Sequence, residues 1–77
     1  MHMTNRSAVA RARSMIEVIS RSLVPGLAER NKVMADGYIE SLFDCGLIER
    51  TQYEDLKTEA ELALTAWSLE RPNDKHL

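Results

Sequence analysis

The groups in this chain that could do chemistry are two histidines, one cysteine, twelve carboxylates and ten lysines and arginines. Their spacing builds no catalytic set. His2 stands in a start, Met1-His2-Met3, that reads as a cloning remnant before Met3, and His76 stands in a polar tail, so no Ser/His/Asp or Cys/His arrangement is available. The carboxylates alternate with basic residues on solvated helix faces, where no carboxylate is poised as a general acid. No Gly-rich phosphate loop and no Cys/His metal cluster is present, so the expectation is no cofactor, no metal and no enzyme. Cys45 follows Asp44 at a predicted helix C-terminus, a setting that disfavours the thiolate, and reads as a small apolar residue at a corner.

What remains is charge that could recognise a partner. The net charge of −2 is unevenly spread. Residues 1–24 carry Arg6, Arg11, Arg13 and Arg21 against Glu17, four minus one or +3, and residues 25–77 carry eleven acids against six bases, or −5. Glu54, Asp55, Glu59 and Glu61 crowd one later segment and offer an acidic face to a protein partner. The four N-terminal arginines, doubled in a dimer, are the alternative: a basic patch for nucleic acid. Against that stand the acidic chain as a whole, the lack of aromatics between the arginines, and the option that they pair with the acidic segment.

These groups need elements to position them, and the apolar spacing supplies three helices. The first is expected over about 5–23, with Val9, Ala12, Ile16, Ile19 and Leu23 at heptad spacing and Met15 and Val18 widening the stripe. Val24-Pro25-Gly26 breaks it, because proline disfavours helix at the residue before it and suits the first turn of a new one. The second covers about 26–45, with Leu27, Met34, Ala35, Tyr38, Ile39, Leu42, Phe43 and Cys45 on one broad side. Gly37 inside it costs about 1 kcal/mol relative to Ala, which a close helix approach or a slight kink would explain. Gly46 suits a left-handed helix end, with Leu47 folding back onto Leu42. Thr51 and Glu54 read as a capping box opening the third helix, about 51–71, whose apolar heptad is Tyr53, Leu56, Ala60, Ala63, Trp67. Pro72 and the tail 72–77 end it, and both 1–4 and 72–77 are expected to be disordered.

Gly46 followed by Leu47 and Ile48 between two helices fits a helix-turn-helix superficially. The pattern then fails: the position four before the Gly is Leu42 where a small residue is needed, and the following helix opens Gln52-Tyr53-Glu54-Asp55, which repels phosphates. The run Leu42-x3-Gly46-Leu47-Ile48-x4-Tyr53-x2-Leu56-Lys57 resembles the short C-terminal helical domain (SHOCT-type) found at the ends of many bacterial proteins, over about 25 of 77 residues. It departs where Glu49 stands in place of a Thr directly after Ile48. The resemblance implies an oligomerisation or interaction hairpin.

The expected fold is all-α: three helices in a single domain, the last two a long antiparallel hairpin, completing a helical bundle as a homodimer. A chain of 77 residues without a disulfide pair has a marginal core, and an apolar stripe not covered by the shorter first helix would call for a second copy. No apolar run reaches the eighteen or so residues of a membrane span. The single cysteine without a signal peptide suggests the cytoplasm. The expected function is a small non-enzymatic bacterial or phage regulator, inhibitor or adaptor acting by protein contacts. Trp67, near the end of the third helix where the first was expected not to reach, is the candidate anchor for a partner.

Overall fold

Three helices and no strand make up residues 3–70, the part of the chain that the computed structural model describes: α1 (Asn5–Ser20), α2 (Pro25–Asp44) and α3 (Arg50–Leu69). Each packs on the other two. The fold is thus an all-α three-helix domain.

Helix α1 begins at Thr4. Its hydroxyl accepts from the Ser7 amide at 3.0 Å and its own amide donates to the Ser7 hydroxyl at 3.0 Å, a reciprocal cap that satisfies two otherwise orphaned donors. The Tyr38 hydroxyl donates to the Met3 sulfur at 3.7 Å, so Met3 and Thr4 belong to the fold and the expected disorder of 1–4 is corrected for those two. Residues 1–2 and 71–77, which include the expected tail and the expected last residue of the third helix, lie outside the described residues. The inward face of α1 is Ala8, Ala12, Ile16 and Ile19, not the expected line ending at Leu23. Leu23 is 82% exposed because the helix has already stopped. Pro25 forces Val24 into extended backbone (φ −137°, ψ 156°), and Ser22 and Leu23 carry the chain from the Arg21 cap to that point.

Ser22 is the node of this link and is 3% exposed. Its hydroxyl donates to the Val18 carbonyl at 3.0 Å and accepts from the Asn31 amide group at 3.0 Å. Its carbonyl accepts the Trp67 indole N–H at 2.7 Å. One residue thereby ties α1, α2 and α3 together, and Trp67, 4% exposed, is covered by the link. The expectation that α1 leaves this end of α3 open is corrected.

At the other end of α2, Gly46 takes φ +76°. The Gly46 amide donates to the Phe43 carbonyl (3.0 Å) and the Leu47 amide to the Leu42 carbonyl (2.9 Å), the Schellman pattern the sequence predicts. Cys45 caps α2 at the corner but is exposed, so its expected place on the apolar side of the helix is corrected; Ile48, further along the turn, is buried. Helix α3 opens one residue earlier than expected. Glu49 is its cap residue, and the Glu49 amide donates to the Gln52 side chain at 2.9 Å, so Thr51 and Glu54 form no capping box. Tertiary structure decides this. Gln52 and Asn5 exchange amide hydrogen bonds (2.8 and 2.9 Å), and Asn5 also donates to the Leu47 carbonyl (2.9 Å). The start of α1 holds the turn between α2 and α3.

The core alternates small and large. Ala8, Ala12, Ala28, Ala35 and Ala60 are fully buried and let the helices approach closely, while Ile19, Ile39 and Leu56 fill the space between. Each such large side chain contributes about 1.5–3 kcal/mol on burial. The α3 register is as expected: Leu56, Ala60 and Trp67 are buried, Tyr53 and Ala63 half-buried. Gly37 is exposed, and a Cβ built there meets nothing within 4 Å, so no helix approach explains it.

Candidate functional site

Three grooves run between the helices, and they differ in how their side chains are spent. The α2/α3 groove is closed by charge. Lys32 lies 2.8 Å from Asp36 and 2.9 Å from Glu61; Lys57 lies 2.6 Å from Glu40 and 3.9 Å from Asp36. Both lysines bind their proton more tightly than a free lysine. Lys32 does so through its bonds to Asp36 and then Glu61, and Lys57 through its bond to Glu40. One Asp36 oxygen is buried without a hydrogen bond, 3.9 Å from the Lys57 ammonium, while the other takes the Lys32 contact. Phe43 stacks on Tyr53 with ring centres 4.7 Å apart, and Arg50 and Lys57 cover the Phe43 and Tyr53 rings from 5.6 Å.

One bidentate pair bridges the α1/α3 groove. Arg13 donates to both Glu59 oxygens, at 3.1 and 2.9 Å, which raises the arginine pKa still further. Around it an open cleft of about 460 Å³ is lined by Asn5, Arg6, Val9, Ala10, Arg13 and Gln52.

The α1/α2 groove is open. Met15, Val18, Asn31 and Met34 line a hollow of about 220 Å³. Val18, Leu27 and Met34 are 46, 41 and 53% exposed. The sequence reading counted these among core-facing residues, and the structure corrects that. The α2 stripe is wider than one contact line, and only its Ala28, Ala35, Ile39, Leu42 edge reaches the core. Arg11 lies one turn before Met15; Arg30 lies three residues after Leu27 and four before Met34, on the same side of α2. Among the described residues no ion pair involves Arg11 or Arg30.

The residues singled out from the sequence are dispersed by this arrangement. Arg13 pairs with Glu59 and Arg21 with Glu17 (2.9 Å). Arg6 and Arg13, seven apart, share the side of α1 that faces α3, whereas Arg11 lies on the side that faces α2. The four arginines therefore form no single patch. Of the acids, Glu59 faces α1, Glu61 reaches Lys32 on α2, Glu54 lies 3.7 Å from Arg50, and Asp55 stays exposed on the outer side. Trp67 is buried. Sequence reasoning missed the α1/α2 groove as a surface; the available signal was two methionines and a valine on adjoining helices with an arginine on each.

Among the described residues no group of three or more His, Cys, Asp or Glu could hold a metal ion, and no helix is long and apolar enough to cross a membrane. No protein-family model, no curated protein and no solved structure matches the chain.

Proposed function

We propose that the chain is a small non-enzymatic interaction protein of the regulator, inhibitor or adaptor kind, working in the cytoplasm of a bacterium or in phage-infected cells. On this reading the antiparallel hairpin of α2 and α3 is a rigid spine, and α1 completes a contact surface upon it. The observation that supports it is the open α1/α2 groove: it is apolar and flanked by Arg11 and Arg30, which are in no ion pair among the described residues, whereas ion pairs bridge the other two grooves. Exposed apolar patches rimmed by polar residues mark interaction sites on small soluble domains. The buried Trp67 is not part of this surface. The nucleic-acid alternative loses its main support, since the arginines it needs lie on different sides of α1 and two of them are paired.

The test is quantitative capture from the cells that encode the chain, with wild type and a Val18→Glu/Met34→Glu variant as baits of matched helicity. Selective loss of the bound set with the variant is the expected result. Identical recovery by both baits removes the groove from function.

A further inference from the structure

We propose that the α1/α2 groove is filled by α3 of a second copy of this chain, in a head-to-tail contact. This rests on the groove being an interaction surface and names its occupant. A groove between two helices with exposed aliphatic walls takes an amphipathic helix presenting apolar residues at i, i+4 and i+7. Arg11 and Arg30 at its rim call for acids on that helix.

The outer side of α3 has this pattern. Leu62 and Leu69 are 60 and 74% exposed, and Ala66, also exposed, lies between them at the i+4 position. Asp55 lies two turns before Leu62 on the same line, and Glu70 follows Leu69. Both acids are exposed, and neither is in an ion pair among the described residues. The inward face of α3, Leu56, Ala60 and Trp67, is spent on the core, so docking through Leu62 and Leu69 requires no unfolding.

Charge decides between this contact and a symmetric one. Pairing groove with groove brings Arg11 and Arg30 of both copies to one interface, where like charges repel. Pairing groove with the α3 stripe sets those arginines against Asp55 and Glu70. Groove and stripe lie on different sides of the bundle, so each copy can use both at once. Such a heterologous contact propagates into a ring or an open chain instead of stopping at a dimer.

Light scattering and sedimentation of three proteins test this: wild type, a groove variant (Val18→Glu with Met34→Glu) and a stripe variant (Leu62→Glu with Leu69→Glu). Far-ultraviolet circular dichroism serves as the folding control, and all four positions are exposed. Wild type is expected to rise past twice the chain mass as concentration increases, and to fall back several-fold in association constant on going from low to high salt. Each variant alone should stay at one chain mass. An equimolar mixture should form a species of two chain masses and no larger, because one intact groove meets one intact stripe. A stripe variant that associates like wild type overturns the proposal in favour of groove-on-groove pairing. A monomeric wild type at every concentration overturns it outright; the broader reading then stands or falls on the capture experiment.

Discussion

The α2/α3 and α1/α2 grooves are built from the same helix α2, yet one is sealed and the other open. Along the α3-facing side of α2, Lys32, Asp36, Glu40 and Phe43 each meet a partner from α3. Along the α1-facing side, Leu27 and Met34 are half-exposed, and Asn31 and Tyr38 bond to Ser22 and Met3, which flank α1 at its two ends. The difference teaches where this domain spends its cohesion. Side chains that close a groove against their own chain are unavailable to another, and those left over define the docking surface.

This contrast can be broken first at its anchor. Trp67→Ala removes a buried indole that ties α3 to Ser22, and should cost about 3–5 kcal/mol, enough to unfold much of a domain this small in a urea titration. A loss under 1 kcal/mol would show that the Ser22 node does not hold the bundle. Ile39→Ala, in the shared core beneath both grooves, should cost about 2–5 kcal/mol, whereas Val18→Ala in the open groove should cost under about 0.5 kcal/mol; equal losses would mean that the α1/α2 groove is closed in solution.

Next comes the charged seal. Asp36→Asn weakens two lysine contacts at once and should cost about 1–2 kcal/mol by denaturant unfolding. The same seal predicts a pH dependence. Lys32 and Lys57 have folded pKa values raised above the ordinary 10.5, so their contribution is fully present below that value and is lost as pH rises through the higher folded values. Stability above about pH 10.5 should therefore fall more steeply in wild type than in Lys57→Gln; parallel curves would remove Lys57 from the seal. The smallest effect is a gain. Gly37→Ala meets no neighbour and should stabilise by about 0.4–1 kcal/mol, read as a higher midpoint at unchanged slope.

Much of the fold was legible before any coordinates. The break at Pro25, the left-handed Gly46 and the Leu56, Ala60, Trp67 line all follow from rules that act within one helix or one turn. Helix ends were less legible. The sequence offers Thr51 with Glu54 as a cap, but Asn5, forty-seven residues before Gln52, fixes the cap at Glu49. The candidate site was less legible still. Arginines two apart, Arg11 and Arg13, look like one cluster along the chain, and the helix sends them to different grooves.

Three helices within residues 3–70, the turns between them and the inward line of α3 follow from the amino-acid sequence alone, because periodicity and backbone preference are local. Only the tertiary structure decided which apolar residues of α1 and α2 are core and which are surface. A stripe on a helix is broader than one packing contact, and how a helix is rotated about its axis is set by its neighbours. The same holds for charge: among the described residues Arg13 is paired and Arg11 is in no ion pair, because the carboxylate that meets Arg13 is carried by another helix.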